Sequence, residues 1–258
     1  MDVVLTAGGI PAPGEPLYPY TRGMPKAMLD ICGKPMVQWV LDALSGAQSV
    51  ENVVLIGLAE DSGVSCAKPL SFIPNRLGMI ENLFSGLAKV LEINPAATKA
   101  LLVSSDIPAI TPEIVDWEIE TTRQMDVDLC YNVARRATVE ARYPGSRRTY
   151  LKLKDMEVCG GDMNVVRTSV LSIDTAVWQK LVATRKNPVR QAAILGFDTL
   201  LLILLHAVTL DEAVKKATSR LHLTGRAIIS PYAELAMDVD KPHQLELMRL
   251  ELARRGSQ

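Results

Sequence analysis

Three short stretches of the chain hold residue types suited to phosphate and metal chemistry. The apolar run Leu101-Leu102-Val103-Ser104-Ser105 ends in Asp106 and then Ile107-Pro108. That pattern predicts a buried strand with an acid at its carboxyl end, where open α/β sheets bind ligands. A carboxylate there can hold Mg²⁺, which bridges phosphate oxygens. It can equally cap the turn before a helix that opens at Thr111-Pro112-Glu113. Much later, Ala236-Met237-Asp238-Val239-Asp240-Lys241-Pro242 reads as a short strand, whose two-residue period sets Asp238 and Asp240 on one face. Asp240 also reads as the N-cap of a final helix with Pro242 in its first turn. The third stretch is Leu5-Thr6-Ala7-Gly8-Gly9, followed at a distance by Met24-Pro25-Lys26. Small residues after a strand let backbone N–H groups approach phosphate oxygens, and a lysine adds a point charge. There is no Gly-Lys-Ser/Thr and no Gly-x-Gly-x-x-Gly, so this is neither a Walker loop nor a dinucleotide fingerprint. Alone, the glycine pair is a tight turn.

These residues need strands and helices to hold them. Apolar runs predict strands at Val3–Thr6, Asn52–Leu58, Leu70–Pro74, Ala100–Ser104 and Val127–Val133. Helices are expected after Pro35, where Val37, Val40, Leu41 and Leu44 share a face, and along the stripe from Ile80 to Leu91. Another should run from Thr111 to about Met125. Residues 134–154 are rich in charge and turn formers and read as irregular. Beyond them, strands are expected at Asn164–Arg167, Ala227–Ser230 and Ala236–Val239, with helices over 174–183, 189–207, 211–220 and 245–253. Strand–helix alternation predicts an α/β fold with a mostly parallel central sheet covered on both faces. No repeat or linker divides the chain. It is read as one domain over 1–258, with 134–230 as an irregular elaboration.

Composition narrows the partners. A net charge of −1 over 258 residues argues against general nucleic-acid binding. The four cysteines are scattered, with no Cys-x-x-Cys, which suits reduced thiols in a cytoplasmic protein. The opening Met1-Asp2-Val3-Val4-Leu5 has no basic stretch leading into an apolar run, so no secretory signal is expected. The stretch Thr199–Leu210 is too short to span a bilayer; it reads as a buried helix, or else as a homodimer contact.

The motifs Leu5–Gly9, Arg22-Gly23-Met24-Pro25-Lys26-Ala27-Met28-Leu29 and Gly33-Lys34-Pro35-Met36 together resemble the signature of nucleotidyltransferases with a glycosyltransferase-A-like fold. That group includes sugar-nucleotide pyrophosphorylases, isoprenoid-precursor cytidylyltransferases and molybdenum-cofactor guanylyltransferases. The resemblance covers 1–44, 101–112, 160–167 and 236–247. It implies a Rossmann-like three-layer α/β/α architecture. It also implies that Ala7, Gly8 and Gly9 line the nucleotide, that Lys26 neutralises phosphate, and that Asp106 and Asp240 ligate Mg²⁺. Base contacts would come from Pro74–Asn82, where Asn75 and Asn82 offer amides and Gly78 close approach; Ser105 is grouped with the nucleotide contacts. One departure stands out. Many members place an arginine soon after the glycine pair, whereas here Ile10-Pro11-Ala12-Pro13-Gly14-Glu15-Pro16 holds no cation. Either Arg22 takes that role or it is unfilled.

Between Arg135 and Lys154 lie seven basic residues against one acid, Glu140. The run reads as a solvated face or as a patch that attracts a phosphate-bearing acceptor. Arg147, Arg148 and Tyr150 are the candidate acceptor contacts, a guanidinium fork with a hydroxyl. Gly160-Gly161-Asp162-Met163-Asn164 resembles the family's acceptor loop, adding Gly161, Asp162 and Asn164, although Asp162 stands where an Asn is usual. The expected function is Mg²⁺-dependent transfer of a nucleoside monophosphate from an NTP to a small phosphorylated acceptor, releasing pyrophosphate. Lys26, Arg22 and Asp106 are the expected catalytic groups. The rival readings are a nucleotide-sugar glycosyltransferase and a non-catalytic nucleotide-binding module.

Overall fold

Val3, Val4 and Leu5 are all fully buried, yet alternate residues of a strand face opposite ways. That alternation sets the layering. The computed structural model describes residues 1–76, 78–172, 206–219 and 222–255. Strand β1 (Asp2–Thr6) sends Val3 and Leu5 into one apolar cluster and Val4 into another. The first cluster is closed by α2 (Met36–Gly46), through Val37, Val40, Leu41 and Leu44, and by α4 (Pro112–Arg123), through Ile114, Val115 and Ile119. The second is closed by α3 (Met79–Ile93), through Leu87 and Val90. A short α1 (Tyr18–Thr21) and a hairpin of β2 (Asp30–Ile31) with β3 (Lys34–Pro35) lie between β1 and α2.

The central sheet runs β5 (Leu70–Ile73), β4 (Val53–Ile56), β1, β6 (Lys99–Ser104), β10 (Met163–Arg167), β7 (Leu129–Arg135), β9 (Glu157–Gly160) and β8 (Leu151–Lys152), with β11 (Gly225–Ser230) also on β7. Pairing is parallel from β5 through β6 and between β11 and β7. It is antiparallel for β10 against β6 and β7, and for β9 against β7 and β8. Among the described residues, only β9 and β10 therefore run against the common direction. The sheet is mostly parallel with helices on both faces, as the alternation predicts.

Two expectations need correction. Residues 136–142 form a helix, α5 (Arg136–Arg142), and β8 and β9 follow it, so 134–160 is more regular than its charge density predicts. No strand forms over 236–239. A 3-10 turn spans Ala233–Ala236, and irregular chain follows. Leu235, Ala236, Met237 and Val239 are all fully buried, so the segment is enclosed rather than half-faced. Its backbone groups tie down site loops: Val239 N–H donates to Asp106 O at 2.9 Å, and Asp162 N–H to Leu235 O at 2.9 Å. The remaining helices are α6 (Leu210–Ser219) and α7 (Pro242–Arg255). The helices expected over 174–183 and 189–207 fall outside the described residues, apart from 206 and 207, which are not helical. Most of the apolar stretch 199–210 lies outside them too. Among the described residues no helix is long and apolar enough to cross a membrane.

Candidate nucleotide site

The site lies beyond the carboxyl ends of β1 and β6, where neighbouring strands leave a crevice. The glycine turn at the end of β1 packs against other backbone. Ala7 N–H donates to Ile56 O at 2.8 Å, and a Cβ on Gly57 would sit 2.3 Å from Gly8 Cα. Gly57 also holds a φ of +96°, open mainly to glycine. Lys26 N–H donates to Gly9 O at 2.8 Å, which fixes the lysine beside the turn. At the end of β6, Ser105 N–H donates to Thr6 O at 3.0 Å and so sets Asp106 opposite that turn.

The two acids far apart in sequence meet on one lysine. Lys26 Nζ lies 2.6 Å from Asp106 Oδ2 and 2.6 Å from Asp240 Oδ1. Burial alone would lower the ammonium's pKa, but the two carboxylates outweigh it and raise it, so Lys26 is firmly charged. Asp240 is free for this because it caps nothing with its carboxylate. Gln244 Oε1 accepts from the N–H groups of Asp240 and Lys241 at 3.0 and 2.9 Å, and α7 begins at Pro242. Asp238 does not share the face of Asp240; it is buried and ion-paired with Arg148.

A cavity of about 310 Å³ adjoins the pair. Gly8, Gly9, Lys26, Asn75, Gly78, Asn82, Ser105 and Asp106 all line it. Ala7 lies just behind, 2% exposed. Asn75 Nδ2 donates to Gly8 O at 3.0 Å, Asn82 Nδ2 to Asn75 Oδ1 at 2.7 Å, and Arg76 N–H to Asn82 Oδ1 at 2.6 Å. The amides thus lock each other and the glycine turn, and each keeps a second N–H for a ligand. Arg76 and Met79 also line the cavity, although the sequence reading passed over them. Arg22 lies elsewhere. It is exposed, with a left-handed φ of 49°, at the end of α1.

The acceptor candidates divide. Asp162 is held at the site by its backbone, with Ser104 N–H donating to its carbonyl at 3.0 Å. Burial and then the charge of Asp106 push its carboxyl well above the usual range. Gly161 sits close to its neighbours: a Cβ would lie 3.2 Å from Asn132 Cβ and 3.4 Å from the carbonyls of Asn132 and Leu235. Asn164 spends its amide on backbone, accepting from Asn132 N–H at 2.8 Å and donating to Gly161 O at 3.1 Å. Arg148 is bound to Asp238, and Tyr150 donates to Glu140 at 3.0 Å. Arg147 is exposed with a φ of 52°. Part of the basic run is compensated: Arg136 pairs with Glu157 and Arg142 with Glu234 and Glu251. Those partners lie up to 109 residues away and could not be read from the run itself.

Asp106 Oδ1 is buried with no hydrogen-bond partner among the described residues. Asp240 brings a second carboxylate to the same lysine, and one or two carboxylates with waters are what Mg²⁺ usually takes from a protein. The residues present therefore fit a divalent cation held by Asp106 and Asp240.

Residues 20–185 match the family described as the MobA-like NTP transferase domain. The chain belongs to that family. A hypothetical transferase from Thermus thermophilus is 30% identical to this NTP transferase and has a TM-score of 0.80; the match covers 95% of this chain and 98% of the other. CMP:2-keto-3-deoxy-manno-octonic acid synthetase, solved with CTP, has a TM-score of 0.54 at 16% identity over 98% and 99% of the two chains. 4-Diphosphocytidyl-2C-methyl-D-erythritol synthase from Anaerococcus prevotii has a TM-score of 0.56 at 10% identity over 98% and 96%. The last two share the fold. Among curated proteins none matches the chain.

Proposed function

We propose that this NTP transferase moves a nucleoside monophosphate from an NTP to a small phosphorylated acceptor, with Mg²⁺ and with release of pyrophosphate. The observation that carries the reading is the meeting of Asp106, Asp240 and Lys26 at the mouth of the cavity bounded by the glycine turn. In this reading Asn75 and Asn82 meet the base, while the backbone of Ala7 to Gly9 and the side chain of Ser105 line the nucleotide. Asp106 and Asp240 hold the cation, which offsets phosphate charge when bound. Lys26 then has a triphosphate to contact as well as its two carboxylates. An oxygen of the acceptor phosphate attacks the α-phosphorus. The new oxygen–phosphorus bond forms as the bond to the β-phosphate oxygen breaks, and the electron pair leaves with pyrophosphate. A phosphate nucleophile is already anionic, so no general base is needed; the protein aligns and neutralises. Asp162 and Arg148, beside the cation site, face the acceptor, and Arg147, Tyr150, Gly161 and Asn164 support that side.

The test is a pyrophosphate-release screen of four NTPs against a panel of phosphorylated acceptors, with and without Mg²⁺. CTP leads the panel, because one structural neighbour was solved with it. Release that needs NTP, acceptor and Mg²⁺ together supports the reading. NTP binding with no release across the panel rejects it in favour of a non-catalytic module. Release of a nucleoside diphosphate from a nucleotide-sugar rejects it in favour of glycosyl transfer.

A further inference from the structure

A second cavity, of about 550 Å³, adjoins the first. Gly9 and Lys26 line both, so the glycine turn and the lysine form the sill between them. Asp106 lines the first cavity and Asp240 the second. On the nucleotidyl-transfer reading, a nucleoside among Asn75, Asn82 and Gly78 would extend its outer phosphates across that sill into the second space. One wall there is the proline-rich loop, through Ile10, Pro11 and Pro16, which brings no cation. Its acid, Glu15, accepts from Ala12 N–H at 2.9 Å. The charge of Lys26 is already met by two carboxylates. The other lysine in the wall is Lys241. Its backbone N–H is anchored to Gln244 at 2.9 Å, yet its side chain is exposed, and among the described residues it pairs with no carboxylate. Arg22 lines neither cavity.

We propose that Lys241 binds the departing diphosphate in the second cavity, supplying from the start of α7 the positive charge that the loop after β1 lacks, in place of Arg22. The inference rests on the nucleotidyl-transfer reading. As the bond between the α-phosphorus and its bridging oxygen breaks, negative charge grows on the β-phosphate. An exposed ammonium in the cavity that Lys26 also lines offsets it without any proton transfer.

Calorimetric titration of inorganic pyrophosphate in Mg²⁺ buffer tests this on the whole protein, with NTP kinetics run in parallel. Lys241→Met should weaken pyrophosphate binding by about tenfold or more and flatten its dependence on salt. Lys241→Arg should keep most of the affinity, and Arg22→Met should lose less than Lys241→Met. Circular dichroism verifies that each variant is folded, and Lys241→Gln provides a second neutral side chain. Wild-type affinity in both neutral variants overturns the proposal, as does a larger loss in Arg22→Met or a wild type that binds no pyrophosphate. The two readings fail separately. A wild type that binds pyrophosphate through Lys241 but releases none from any NTP sinks the transfer reaction and leaves the anion site standing. Turnover with KM and pyrophosphate affinity unmoved in Lys241→Met sinks the lysine alone.

Discussion

Lys26 has two carboxylates within hydrogen-bond reach and a charge that both of them secure. Asp106→Ala or Asp240→Ala should cost at least ~100-fold in turnover, on the scale seen when a group that meets developing charge is removed. Asp240 is more exposed than Asp106, with side chains 58% and 13% accessible, so its loss should barely move the melting temperature. Near-normal pyrophosphate release from both purified variants would remove the metal assignment. Glu118 makes a different point. It is fully buried on α4, and neither its carboxyl oxygens nor the neighbouring Asn132 Oδ1 has a hydrogen-bond partner among the described residues. Burial raises its carboxyl from 4.5 to about 7, with Asn132 pulling slightly the other way. Burial thus favours the protonated form of Glu118 in the folded protein. The stability this lends is full below pH 4.5 and is lost as pH rises through about 7. Glu118→Gln should therefore stabilise the protein above that point, by up to roughly 3 kcal/mol. Denaturant melts of both forms at pH 5 and pH 8 check it; an equal difference at the two pH values counts against the protonated acid.

At the scale of elements, the cavity-lining residues that the sequence singled out each sit in a short local motif. The glycine turn, Asp106 and Asn75 follow directly on strands whose apolar runs are plain in the sequence. Asp240 comes to Lys26 although no strand forms over 236–239, where the chain is buried through Val239 and shows no strand period. The Arg148–Asp238 pair and the partners of Arg142 were not readable: they join segments that only the folded sheet brings together. Helix α5 was missed because its exposed face carries charges that otherwise mark a loop. The packing of Gly57 on Gly8 yields a prediction at this scale. Gly57→Ala adds a methyl 2.3 Å from Gly8 Cα at a φ of +96°, so the loop after β4 must shift the turn after β1. A loss of roughly 1–3 kcal/mol in stability is expected, together with weaker NTP binding. An alanine variant that melts and binds like the parent would show that the two loops are not coupled.

Across the whole molecule, the sheet brings four distant chain segments to one end. β1 and β6 are parallel neighbours, β10 returns antiparallel beside β6, and the segment before α7 crosses beneath with hydrogen bonds to both Asp106 and Asp162. A ligand gripped by these segments together should stabilise the fold as one unit. NTP with Mg²⁺ at a hundredfold excess over Kd should add about 2.7 kcal/mol, an upward shift in melting temperature of several degrees. The same addition to Asp240→Asn should give a smaller shift. An unchanged shift in that variant would mean that the C-terminal segment takes no part in binding.

The doubly paired ammonium of Lys26 has a bearing on how the protein behaves on its own. Two acids crowded at a cleft would ordinarily repel each other, and many such clefts depend on an added ion to stay together. Here the chain brings its own counter-ion, attached to a turn that also contacts the opposite wall. In the resting protein this ammonium offsets part of the charge of the two acids. Preparations stripped with a chelator should denature at the same temperature as untreated ones; a lowered melting temperature would show that a bound ion staples the cleft.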